Sequence, residues 1–281
     1  MNPVLAIVER NLKNYVRNKG QLLGSLFMSF FMLVMFSFLM KSQMGNLDQP
    51  MNYLLSGVII MTVFQTAINH SSDILSDIAG GYMKEVMVAP VSRSEICIGN
   101  IIAGAVVSTL QGTVMMVCAF LLGLHVSILQ FLMLEIVMFV SAMTFSAVGL
   151  FLATVCRNSP AFQTVSSMVM MPLTFVSGAY IPVTIIPGFL KPIVYLNPLT
   201  YTTSIFRYIA LNAFGMSSEE LVQQGMSFSI NGLVISPLMG LLITLLIGTV
   251  FFVLCIYKFD QADFSTVKVA TSMRGGGAPK K

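Results

Sequence analysis

Few residues in this chain are of a type and in a place to do chemistry. One carboxylate, Glu135, stands inside the apolar run ILQFLMLEIVMFV. An ionisable group at membrane depth is a functional candidate by default. Glu135 can bind a cationic group of a ligand, pair with Lys191 or Arg207, or take a hydrogen bond from a neighbouring helix. A proton-coupled carrier would need more than one such group, which argues against that mechanism. The histidines, His70 and His125, form no HExxH and no Ser/His/Asp arrangement. Cys97, Cys118, Cys156 and Cys255 lie in or beside apolar segments without a CxxC, so they read as small hydrophobes, neither a disulfide framework nor a zinc site. The GGGAPKK at the end of the sequence lacks the GxxxxGK[ST] spacing of a phosphate loop, and no ATPase site is expected. What remains is a set of uncharged polar residues in apolar surroundings: Gln65, Thr66, Asn69, Gln163, Thr164, Ser166, Ser167 and Thr174. Such residues line cavities or bond helices to one another.

The elements that must position these residues are membrane spans. Only 9% of the residues are charged, 56% are hydrophobic and the mean hydropathy is +0.85, against about 25% charged in soluble domains. Six stretches approach the length of about 20 apolar residues that crosses a bilayer: residues 22–40, 53–69, 97–122, 128–155, 161–176 and 237–257. The expected fold is therefore an all-α membrane protein of six transmembrane helices. With both termini inside, the inner side holds twelve Lys and Arg, and the outer side holds Lys41, Lys191 and Arg207. That asymmetry satisfies the positive-inside rule and places the chain in a cell membrane with both termini cytoplasmic. Residues 1–20 read as an amphipathic interfacial helix, with Leu5, Val8, Leu12, Tyr15 and Val16 on one face and Arg10, Lys13 and Arg17 on the other. Residues 21–258 form the six-span domain, and 259–281 a cytoplasmic tail. The basic residues flank spans and form no stripe, so nucleic acid is not an expected partner, whereas membrane lipids are.

Two connections are unusual. The inner segment 70–96 carries Asp73 and Asp77 into water, breaks at Gly80 and Gly81, and continues as YMKEVMVAP up to Pro90. Tyr82, Met83, Val86 and Met87 make an apolar face opposite Lys84 and Glu85, and Ser92 or Ser94 caps the next span. A short helix of this kind either docks on a cytoplasmic partner or rests on lipid. The outer segment 178–236 begins with GAYIPVTIIPGFLKPIVYLNPLTY, as apolar as a span yet holding Pro182, Pro187, Pro192 and Pro198. Backbone freed by proline must pack in protein or line water when it lies at membrane depth. The expected form is a re-entrant helical hairpin. Asn197 and Pro198 open its last helix, with Tyr201, Ile205, Tyr208 and Ile209 along one side and Lys191 and Arg207 reaching headgroups.

The stretch SGAYIPVTIIPGFLKPIVYLNPLTYTTSIFRY resembles the signature of the type-2 ABC exporter permeases, and EVMVAPVSRSEICIGN is similar to their inner-loop motif. The order of elements matches along nearly the whole chain. Gly178, Pro187, Asn197, Pro198, Tyr201 and Arg207 match the outer motif; Glu85, Pro90, Arg93 and Glu95 match the inner one. The resemblance implies a permease subunit without its own ATPase site or cofactor. A separate cytoplasmic ATPase, in two copies, would carry ATP and Mg. Tyr82, Met83, Glu85, Val86, Met87, Pro90 and Arg93 would form the helix that couples to it. It also implies a second permease copy, or a paralogue, and a substrate path bordered by spans two and five. Gln65, Asn69, Gln163, Ser167, Thr174 and Glu135 are the residues expected on that path.

The substrate expected on this reading is an amphiphile, drug-like or lipid-like, leaving the cytoplasm or inner leaflet. The alternatives are export of a polysaccharide or lipid-linked glycan, an ion-coupled carrier using Glu135, and a membrane scaffold with a sealed core.

Overall fold

The computed structural model describes residues 2–40, 50–83, 86, 91–156, 158–180, 182–183, 186–230 and 233–261. Of the residues expected to couple to an ATPase, Glu85, Met87 and Pro90 lie outside these, as does the tail from residue 262. The architecture is all-α apart from one small hairpin. Eleven helices are named here: α1 (Pro3–Arg17), α2 (Lys19–Met40), α3 (Pro50–His70), α4 (Ser72–Ala79), α5 (Arg93–Leu121), α6 (Ile128–Val155), α7 (Ser159–Val176), α8 (Lys191–Leu196), α9 (Pro198–Ala210), α10 (Ser218–Gln223) and α11 (Pro237–Gln261). Strands β1 (Phe228–Ile230) and β2 (Leu233–Ile235) pair antiparallel between α10 and α11, with Ser229 opposite Val234. The sequence reading did not anticipate this hairpin, because three-residue strands leave no periodicity to detect.

By length and composition, four helical stretches among the described residues can cross a membrane: Met51–Ala79, Arg93–Leu121, Ile128–Val155 and Pro237–Lys258. The expected first and fifth spans fall on α2 and α7, both helical; Leu22–Met32 of α2 is a shorter apolar helix.

Capping explains where the long helices begin. Ser92 accepts from the Glu95 N–H while the Glu95 carboxylate accepts from the Ser92 N–H, so Ser92 is the cap that starts α5. Ser127 and Gln130 repeat the arrangement at α6. The Gln130 amide also donates to the Ile209 carbonyl at 3.0 Å, which ties the start of α6 to the end of α9.

α3 is the central post. It is packed by α2, α5, α6 and α9, and its Ile59, Ile60, Val63, Phe64 and Ala67 are buried. Lipid tails are as apolar as leucine, so close approach rather than water expulsion holds such helices together. Small residues supply that approach. A Cβ on Gly112 of α5 would strike Val63 and Met138, and one on Gly149 of α6 would strike Ser71 and the Ile68 backbone. Phe64 meets Phe145 edge-on at 4.9 Å between ring centroids, the geometry their quadrupoles favour.

Candidate functional site

The outer motif closes on Arg207. Its side chain is 1% exposed. Nε donates to the Tyr53 carbonyl at 3.2 Å, one terminal nitrogen to the Gly178 carbonyl at 2.7 Å, and the other to the Ala179 carbonyl at 2.5 Å. The guanidinium lies 3.4 Å over the Tyr53 ring, a cation–π contact strengthened by removal from water. Gly57, one turn along α3 from Tyr53, makes the room: a Cβ there would collide with the Ala179 carbonyl oxygen and crowd the guanidinium. Gly178 has φ +83°, a left-handed conformation that glycine adopts without strain. Arg207 therefore does not reach headgroups. The Gly178 and Ala179 carbonyls at the chain reversal need donors, and a planar five-donor fork serves them and the Tyr53 carbonyl of α3 together where water does not reach.

Asn197 and Tyr201 complete this closure. Asn197 Oδ1 caps α9 by accepting from the Leu199 N–H, and its Nδ2 donates to the Leu173 carbonyl of α7 at 2.7 Å. Tyr201 donates to the Tyr195 carbonyl at 2.6 Å. Pro187 stands exposed at the start of the short turn Gly188–Leu190. α9 differs from the one-sided helix expected: every residue from Pro198 to Arg207 is buried. The cause is its position among α3, α6 and α11, with the β1–β2 hairpin adding Phe228 against Tyr201.

At the other end of the α3–α4 rod, Arg10 grips Asp77 with both terminal nitrogens, at 2.6 and 2.7 Å. This hydrogen bond is the main cause holding the Arg10 guanidinium above its usual pKa. Arg10 also lies 3.6 Å over the Tyr82 ring. Asp77 thus does not simply enter water, and Arg10 does not face lipid. The face of α1 that packs against α5 overlaps only in part with the apolar stripe read in the sequence. Asn11 and Tyr15 are buried, Gly99 of α5 admits Ile7, and Leu5 and Val16 point outward. Of the residues expected to couple to an ATPase, Met83 is buried in the chain's own core and Val86 packs partly against it. Arg93 opens α5.

The residues expected on a substrate path separate into three places. Gln65 and Asn69 line a cavity of about 280 Å³ between α2, α3 and α5. Gln163 and Ser167 are exposed on α7 and Thr174 is buried there, none of them among the residues lining that cavity. Glu135 accepts from the Thr113 hydroxyl of α5 at 2.9 and 3.0 Å. Of the three alternatives for Glu135, this is the hydrogen bond to a neighbouring helix, and Arg207 is not its partner. The sequence reading missed Gln111, whose Oε1 accepts from Tyr15 at 2.6 Å and Thr66 at 3.0 Å in the wall of the same cavity. A lone glutamine in mid-span was the available signal. Among the described residues, no group of His, Cys, Asp and Glu is placed to hold a metal ion.

Comparison with known proteins bears on the whole arrangement. The family model for the ABC-2 type transporter matches residues 3–211. The inner membrane transport permease YadH of Escherichia coli is 25% identical over 178 residues, covering 62% of this chain and 69% of that protein. The putative transport permease ycf38 of Cyanophora paradoxa is 24% identical over 234 residues, 81% of this chain and 80% of its own. The probable multidrug ABC transporter permease YbhR of E. coli is 24% identical over 169 residues, 59% of this chain and 45% of that protein. The match runs through both motif regions, from α1 to the residue after α9, and the chain belongs to the ABC-2 type transporter family as a membrane transport subunit.

Proposed function

We propose that this chain is the permease of an ATP-driven exporter and that its α3–α4 rod transmits force from a partner ATPase to the outer closure. The observation that carries this reading is that the outer motif and the segment leading into the inner one meet the two ends of one rod. Met51–Ala79 is 29 residues long, about 44 Å at 1.5 Å per residue. Its outer end accepts from Arg207 through Tyr53, and its inner end holds Arg10 through Asp77 beside Tyr82. A partner pressing on residues 82–90 would tilt the rod and strain the Arg207 closure, opening a way out.

In this reading α2 and α7 join the four long spans to make six, both termini are cytoplasmic, and residues 178–236 cap the outer face. Exposed apolar residues on α2 and α7, Phe27 and Met168 among them, would meet a second permease copy or a paralogue. Two ATPase subunits would hold ATP and Mg. The cargo is an amphiphile. The similarity to YbhR, a probable multidrug ABC transporter permease, supports a drug-like cargo, and a glycan-bearing lipid is the alternative.

The test is copurification from native membranes of wild type against a Val86→Asp, Met87→Asp double variant. A nucleotide-binding subunit that accompanies the wild type and is lost from the folded variant is the expected result. Well-folded wild type without any ATPase would overturn the coupling reading.

A further inference from the structure

From Tyr53 to His70, α3 is buried at every position except Gln65, Thr66 and Asn69. All three line the cavity between α2, α3 and α5, together with Gln111. Gln111 is 2% exposed, and its amide oxygen is taken by Tyr15 and Thr66. Its amide nitrogen, and both polar atoms of Gln65 and Asn69, have no hydrogen-bond partner among the described residues. An amide with nothing to bond at membrane depth costs several kcal/mol in hydrocarbon. Gln111 is buried, Asn69 half-buried and Gln65 exposed, so the three amides run from the wall of the space to its mouth and are served by water or a polar ligand there. No Asp, Glu, Lys or Arg lines the cavity among the described residues. A charged group entering would lose its hydration without gaining a counter-charge.

We infer that this cavity binds the uncharged, hydroxyl- or amide-bearing headgroup of an amphiphile, held by Gln65, Asn69 and Gln111, with the apolar part against Met28, Met32 and Met61. The inference rests on the transport reading above and narrows its cargo to neutral headgroups. Size agrees: about 280 Å³ is the space of about nine waters at about 30 Å³ each, enough for a headgroup and too small for a whole lipid. The methionines offer a wall that adapts to different apolar shapes. Two smaller cavities share lining residues in turn. Ser25, Thr66, Asn69 and Gln111 are shared with a second cavity of about 130 Å³ that includes Tyr15. Tyr15 in turn borders a third, of about 190 Å³, at the α1–α4 end. That third cavity is lined by Asp73 and Asp77, unlike the first.

The chain has no tryptophan, so Met28→Trp places a single emitter at the cavity. In nanodiscs of the full chain, its quenching is titrated with a bromine-tailed alkyl glucoside, and with the same tail carrying trimethylammonium or sulfate. Saturable quenching by the glucoside, at least about tenfold tighter than by either charged probe, is expected. Gln65→Leu with Asn69→Leu should weaken it by about tenfold or more, the loss of about 1 kcal/mol per hydrogen bond. Gln65→Leu alone, at an exposed position, gives the same readout if the double variant does not fold. Equal, non-saturating quenching by all three probes would overturn the inference, as would tighter binding of a charged one. Glucoside binding unchanged by the variants would overturn it too. The assay contains no ATPase, so failure of the copurification above leaves this result to be read independently.

Discussion

Arg207 is held by backbone rather than by an acid, and that dictates how its variants should behave. Arg207→Leu removes one hydrogen bond from each of the Tyr53, Gly178 and Ala179 carbonyls, at about 1 kcal/mol each; the Ser56 hydroxyl still serves Tyr53 and the Tyr53 hydroxyl still serves Gly178. A loss on the order of 3 kcal/mol is expected, read as a melting temperature lowered by several degrees in the purified chain. Arg207→Lys keeps the charge but is a point donor without a planar fork, so it should fall between wild type and Leu. If Arg207→Leu melts like wild type but abolishes transport, the residue acts on cargo and not as a clamp. Glu135 is judged by the opposite contrast. Thr113 donates to it, and Glu135→Gln preserves an acceptor while removing the charge. Transport by Glu135→Gln should be close to wild type and insensitive to a proton gradient. Loss of activity in that variant would favour the ion-coupled alternative.

The element that decides the mechanism is the joint between α1 and α4. Arg10–Asp77 is bidentate and partly exposed, so its worth is about 1 kcal/mol rather than the larger figure of a buried pair. A double-mutant cycle of Arg10→Ala and Asp77→Ala, followed by thermal unfolding, should return a coupling energy of that order that shrinks in high salt. Stimulation of the partner ATPase by cargo should fall in each single variant if the joint transmits force. Unchanged stimulation would show that α1 is an anchor and no part of the lever. α3 also explains why Gly57 is a glycine. Gly57→Ala pushes a methyl group into the Ala179 carbonyl, and overpacking of this kind costs about 1–3 kcal/mol.

At the scale of the molecule, α2 and α7 have faces too apolar for anything but lipid or protein. On α7 the exposed residues Met168, Met171 and Phe175 recur at three- and four-residue steps. α11 also exposes Leu242, Leu246, Val250 and Val253, with Thr249 the polar residue beside them, against Gln163, Thr164 and Ser167 on α7. In a background without the four native cysteines, Met168→Cys or Met171→Cys should give a covalent dimer in membranes under a mild oxidant, and Val250→Cys should not. A dimer through Val250→Cys alone would place the partner on α11 and leave α7 to lipid.

Apolar length and capping were legible along the chain because each is local. The long spans, the Ser92 and Asn197 caps and the break at Gly80–Gly81 follow from residues within a turn or two of one another. Side-chain destinations were not local. Arg207 and Arg10 both read as cations for headgroups, yet one meets carbonyls contributed by residues 53, 178 and 179 and the other an aspartate 67 residues away. The polar residues of spans two and five read as one path, but α3 turns Gln65 and Asn69 toward Gln111 of α5 while α7 faces outward. The sequence alone determined which segments form long apolar helices, since an uncharged apolar run and its caps suffice for that. Only the tertiary structure decided which polar groups meet, because a buried donor must find its acceptor across helices, whatever their distance in the chain.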